Sequence, residues 1–180
     1  MSIQIRLLQL CLTPSVKKKR LRELFEFTAY AFQREVPDTS TLSYIDCLRA
    51  YARFTKNEAE KAIINGDDLG LVRARLRENA LLLGRKLRER FRITTIKQAF
   101  VMARILYRVL KIDFEGTSKG EITVRRCFFA THYSKGICEI ISSLDEGLLA
   151  GLSGGGVLTF FERITACSAC CKARFVVDAG

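Results

Sequence analysis

The feature that most constrains this chain is a change of hydrophobic period near residue 112. Before it, apolar side chains recur every three to four positions, the spacing of helices with one buried face. After it, short runs of β-branched and aromatic residues alternate with glycine-bearing turns. Nine of the twelve glycines and five of the seven cysteines fall in residues 112–180. Charge divides at the same place, with 23 basic and 11 acidic side chains in residues 1–111 against 7 and 8 in residues 112–180. We read a helical region, 1–111, packed with a strand-helix-hairpin region, 112–180, as one compact domain.

The helical region resolves into four elements. Leu21, Leu24, Phe25, Thr28, Ala29 and Phe32 predict a first helix that ends before Pro37. Leu42, Ile45, Leu48, Tyr51 and Ala52 start a second, which runs to Ile64 and is stopped by Asn65-Gly66-Asp67-Asp68. Leu69 to Phe91 forms a third, and Thr94 or Thr95 caps a fourth that carries Ala99, Phe100, Met102, Ala103, Ile105, Leu106 and Leu110 to the core.

Beyond the break, Glu121 to Phe129 reads as a strand and Ser134 to Leu149 as a glycine-rich helix ended by Gly154-Gly155-Gly156. Val157 to Arg163 and Cys171 to Val177 read as two more strands. Their link is too short for a parallel crossover, so they pair as an antiparallel hairpin. The predicted class is α+β: a layer of about four helices against a small, mainly antiparallel sheet and one glycine-rich helix.

Several function classes lose their support. Met1 to Leu12 is apolar but interrupted by Arg6, and Lys17-Lys18-Lys19-Arg20 follows it rather than precedes it, so no secretory signal is expected. Charges break every apolar run well short of the ~18 residues of a membrane span. A cytoplasmic protein with reduced thiols is expected. Gly-x-Ser-x-Gly, P-loop and dinucleotide fingerprints are absent. The third helix carries Arg73, Arg75, Arg77, Arg85, Lys86, Arg88 and Arg90, with Arg92 following, a charge that can meet phosphates. No nucleic-acid motif accompanies it, and we read it as solvated, with nucleic acid disfavoured as a partner.

The chemistry-bearing residues gather in the C-terminal region. Cys167 and Cys170 form a Cys-x-x-Cys step, and with Cys127 and Cys138 they supply four thiols for a metal, though not at a recognised spacing. Buried apolar packing is the alternative for all four. Asp145 stands among leucines and glycines. It is either buried with a raised pKa, hydrogen-bonded to a partner such as Arg163 or Arg126, or solvated beside Glu146. His132, the sole histidine, lies in a strand-to-helix link and is an acid–base candidate or a surface turn residue. Strict alternation puts Phe161, Arg163 and Thr165 on one face and Phe160 and Glu162 on the other. An arginine on the covered face suits a small carboxylate.

Taken together, Arg126-Cys127-Phe128-Phe129, Cys138-Glu139, Asp145-Glu146-Gly147, Phe161-Glu162-Arg163-Ile164-Thr165 and Cys171-Lys172-Ala173-Arg174-Phe175 resemble the L-2-amino-thiazoline-4-carboxylic acid hydrolase-like family. The likeness covers roughly the last third of the chain in motif and the remainder only in helical character. It departs from the family in the turn Cys167-Ser168-Ala169-Cys170 and at Ala173. It implies a hydrolase of a small cyclic C–N or C–S carboxylate. Asp145 or His132 would then activate water, Cys127 or Cys171 would be the nucleophile of a covalent route, and Arg126, Arg163 and Thr165 would bind substrate.

The same hairpin is also similar to the 4-vinyl reductase small-molecule-binding domain. That likeness implies a non-catalytic sensor with an apolar pocket lined by Phe128, Phe129, Ile141, Leu144 and Phe161. A small-molecule ligand is expected in either case, and no cofactor is identified. The Gly147-x-x-x-Gly151 spacing suits a homodimer through close helix approach, or the admission of a facing strand.

Overall fold

A computed structural model describes residues 13–178. Met1 to Leu12, on which the expectation about a secretory signal rests, lie outside the described residues. Helix α1 spans Pro14–Ala31, α2 Tyr44–Ile64, α3 Leu69–Phe91 and α4 Ile96–Val109. Each begins where a side chain can accept from an orphan backbone N–H: Thr13 from Val16, Ser43 from Asp46, Asp68 from Leu71, and Thr95 from Gln98. Thr95 and Gln98 cap each other reciprocally, which decides between the two threonines offered by the sequence.

Strands β1 (Ile112–Gly116) and β2 (Glu121–Cys127) follow, then a short 3-10 turn at Phe128–Thr131. Helices α5 (Lys135–Ile141) and α6 (Ser143–Ser153) lead to β3 (Val157–Glu162), a second 3-10 turn at Ile164–Ala166, and β4 (Cys171–Val176). The four strands make one antiparallel sheet in the order β1-β2-β4-β3. The class is therefore α+β.

The C-terminal region differs from the sequence reading in three places. Strand β1 is an addition: only Phe114 is buried between Asp113 and Glu115, too little alternation to signal a strand. Strand β2 stops at Cys127, because Phe128 and Phe129 enter the 3-10 turn that aims Phe129 back at Tyr51, centroids 5.9 Å apart. The expected single helix from Ser134 to Leu149 is two. The Ser142 hydroxyl donates back to the carbonyl of Glu139 at 3.1 Å, a local bond that competes with regular helix, and the helix is interrupted there.

Helices α3 and α6 form the most extensive helix pair. Gly84 on α3 meets Leu148 and Gly151 on α6 so closely that a methyl group at Gly84 would lie 2.6 Å from the Leu148 carbonyl oxygen. One at Gly147 would overlap the Arg77 carbonyl. The glycine face is thus filled by α3 of the same chain. It is neither a dimer surface nor the seat of a strand, because backbone of α3 occupies the space a second copy would need.

Two apolar clusters result. One joins α3, α4 and α6 to the inner face of the sheet through Phe100, Phe114, Leu149, Leu152 and Phe175. The other joins α1, α2 and α5 through Leu21, Phe25, Tyr51, Leu76 and Ile137. Leu110, Ile112, Cys127 and Leu148 touch both clusters, and the space between them is incompletely filled. Among the described residues no helix is long and apolar enough to cross a membrane.

Candidate functional site

Where the two clusters meet there is a cavity of about 140 Å³. Leu83 and Leu87 of α3, Leu106 of α4 with Leu110 just after it, and Leu144 and Leu148 of α6 supply much of its apolar wall, and Arg20, Glu23 and Leu24 of α1 also border it. Arg20 and Glu23 are only partly exposed and pair at 2.7 Å. Polar side chains on the wall are fewer, with Ser142, Asp145 and the tyrosines Tyr51, Tyr107 and Tyr133 among them.

Asp145 brings a carboxylate to the cavity wall. It stands in the first turn of α6, three residues past the interruption at Ser142, and its side chain borders the cavity. Tyr107 of α4 donates its hydroxyl to Asp145 Oδ1 at 2.7 Å, and Oδ2 has no hydrogen-bond partner among the described residues. Desolvation pushes the carboxyl up to about 6, against the Tyr107 bond and the nearby Arg163 charge, which favour the ionised form. Burial and the facing carboxylate hold the Tyr107 phenol well above its ordinary range. Of the readings open for Asp145, the structure shows a half-buried carboxylate hydrogen-bonded to a tyrosine rather than to Arg163 or Arg126.

Arg163 lies behind the cavity wall. Its guanidinium stacks 4.0 Å from the Phe160 ring centroid, donates Nη2 to Ser142 Oγ at 3.1 Å and Nη1 to Cys138 Sγ at 3.6 Å. No carboxylate lies within 4.0 Å of it among the described residues. Strict alternation places Arg163 with Phe161, and the structure does not. A β-bulge between Phe160 and Glu162 leaves Phe161 65% exposed and brings Arg163 onto Phe160.

The remaining expected site residues separate. Cys127 and Cys138 line the cavity, and desolvation pushes the Cys127 thiol up to about 12. The Cys171 sulfur accepts from the Ile164 N–H at 3.4 Å, and burial raises that thiol as well. His132 is exposed beside Phe128, their rings 5.0 Å apart, outside the cavity. Arg126 is exposed near the end of β2, 3.8 Å from Asp113 on β1. The Thr165 hydroxyl is buried without a partner in the second 3-10 turn. Of the five residues expected to line a pocket, Phe129, Ile141 and Leu144 do so, whereas Phe128 and Phe161 do not.

No three His, Cys, Asp or Glu residues among the described residues converge as metal ligands. Cys127, Cys138, Cys167 and Cys170 are therefore not a ligand set: the first two line the cavity, while Cys167 is exposed in the hairpin turn. On α3, Glu78 and Glu89 follow the outermost line of the helix together with the exposed Leu71 and Leu82, opposite buried Leu76, Ala80 and Leu87. The cations flank that line instead of forming one continuous face.

Tyr107, Ser142 and Tyr51 belong to the site and escaped the sequence reading. A tyrosine inside an otherwise aliphatic helical stripe was the available signal, because a buried phenol needs a polar partner. Comparison with protein-family models, with curated proteins and with solved structures finds no match to this chain.

Proposed function

We propose that the protein is a binding module for a small, mostly apolar molecule with one hydrogen-bond-donating group, an alcohol or amine, held on Asp145. The observation that carries this reading is the Asp145 carboxylate, one oxygen of which has no hydrogen-bond partner among the described residues, on a cavity wall that is mostly apolar. Such sites gain affinity from apolar contact and orientation from a few polar atoms. The volume suits a compact ligand, since an apolar cavity of about 150 Å³ accepts benzene. The resemblance to the 4-vinyl reductase domain points the same way.

Fluorine NMR of ring-fluorinated benzyl alcohol and benzylamine, with fluorotoluene and fluorobenzoate as controls, tests the proposal. Saturable binding in the order donor, toluene, benzoate supports it, with Asp145→Ala weakening the donors about tenfold and leaving toluene unchanged. Equal binding of all four, or none, removes it.

A hydrolase acting on a small cyclic carboxylate is the second reading. What favours it is the elevated Asp145 carboxyl, whose range near neutrality suits a general base. His132 and Cys127 contribute little to that route, one lying outside the cavity and the other held as a thiol. Turnover of a thiazoline carboxylate that disappears in Asp145→Asn would establish this reading over the first.

A further inference from the structure

We infer that the seam between α3 and α6 is a docking line for single-stranded nucleic acid, whose phosphates are held by Arg73, Arg77, Arg85 and Arg88. The inference is independent of the cavity and of its ligand.

The four arginines stand along one flank of α3, each against a successive residue of α6 or its end. Arg73 donates Nε to Ser143 Oγ at 3.4 Å. The backbone of Arg77 abuts Gly147, that of Arg85 abuts Gly151, and the Arg88 guanidinium fills the space beside Gly154. Arg88 also donates Nε to the Ile93 carbonyl at 3.3 Å, so both ends of the row are held in place. Arg73, Arg77 and Arg85 are exposed and Arg88 is half-buried. At 1.5 Å per residue the row is about 22 Å long.

Its charge is unanswered within the fold. No cation of α3 has a carboxylate within 4.0 Å among the described residues, and Glu146 of α6 pairs with none of them. On α2, by contrast, Arg49, Lys56 and Lys61 each pair with an acid of their own helix. On the opposite flank of α3, Lys86 lies over the Phe27 ring of α1.

Aligned guanidiniums without acids suit a chain of phosphates, each able to accept two N–H bonds from one arginine. The outermost line of α3 decides the form of that chain. Glu78 and Glu89 lie on it, so a flat anionic membrane would meet two carboxylates first, whereas a thin strand lies beside them along the seam. Phe91, the one aromatic residue of the two helices, is buried, so bases find no stacking platform and binding is independent of sequence.

Fluorescence anisotropy of a labelled oligothymidylate of about 20 nucleotides, titrated with the whole protein from about 50 to 300 mM salt, tests the inference. Four phosphate contacts predict a slope of about −2.8 for log affinity against log salt. Arg77→Gln with Arg85→Gln removes two of them and should bring the slope to about −1.4, with affinity near 150 mM salt lowered about tenfold. Lys19→Gln with Arg22→Gln removes the same charge from exposed positions on α1 and should leave the slope unchanged. Circular dichroism establishes that both double variants fold, and the slope of the parent protein is a reading that needs no variant.

Absence of saturable binding at low salt, or equal losses in the two double variants, overturns the inference. A parent slope steeper than about −5 does the same, because it spreads the contact over the whole basic surface. Phosphatidylserine vesicles that bind through Arg77 and Arg85 while the oligonucleotide stays free would make the seam a membrane contact and overturn the nucleic-acid assignment.

Discussion

The Tyr107 hydroxyl and the Asp145 carboxylate, 2.7 Å apart, join α4 to α6 at the cavity wall. The bond fixes one carboxylate oxygen and leaves the other without a hydrogen-bond partner among the described residues. Removing the donor should therefore act on the carboxylate as well as on stability. Tyr107→Phe is expected to cost about 1.5–3 kcal/mol at neutral pH, the range for a hydrogen bond to a charged group. It should also raise the Asp145 pKa further, because the lost bond favoured the ionised form. Urea unfolding and a carboxyl titration by NMR check the two effects.

Asp145 itself gives the protein a specific pH dependence. Its folded value of about 6 lies above the ordinary carboxyl value, so the folded state binds the extra proton. The stability this contributes is complete below about pH 4 and is lost as pH rises through about 6. Asp145→Asn keeps an acceptor for Tyr107 and removes the titration. Its unfolding free energy should match the parent near pH 4 and exceed it by about 3 kcal/mol above pH 7, since each tenfold change in proton affinity is worth about 1.4 kcal/mol. A variant that gains nothing at high pH contradicts the desolvation of this carboxylate.

The α3–α6 crossing predicts a sharp contrast between glycines. At Gly147 and Gly151 an added methyl would overlap the carbonyl oxygens of Arg77 and Leu81, which are helix backbone and cannot step aside. Alanine at either should cost about 3 kcal/mol or more. Gly136, on α5, has nothing within 4 Å of the same position, so alanine there should be neutral or stabilising by up to about 1 kcal/mol. Thermal denaturation of the three variants decides it.

His132 offers a negative control. It is exposed and outside the cavity, so His132→Ala should change stability by no more than about 0.5 kcal/mol and leave ligand affinity intact. A loss of binding in that variant would mean that the site lies elsewhere.

The helical layer was legible because its caps and its period agree: Asp68 starts α3 and Thr95 starts α4 where side-chain chemistry demands. The hairpin was legible from the length of its link. Arg163 was misplaced because alternation fails silently at a bulge, which the dipeptide Phe160-Phe161 does not announce. The interruption at Ser142 was hidden for a related reason, since a serine in a helix signals a back-bond only once its rotamer is known. Asp145 could be singled out as a carboxylate among leucines, but its partner lay 38 residues away on another helix. Side-chain pairing across such a distance follows from tertiary packing, which one sequence does not encode locally.

The proposed ligand binding requires the Asp145 carboxylate to face a desolvated space that a small molecule can enter. An NMR titration of that carboxyl carbon, with and without benzyl alcohol, examines both conditions at once. A midpoint of about 6 is expected in the free protein, displaced when the cavity fills. A midpoint of about 4, unmoved by the alcohol, is the value of a solvated aspartate and would contradict the binding site.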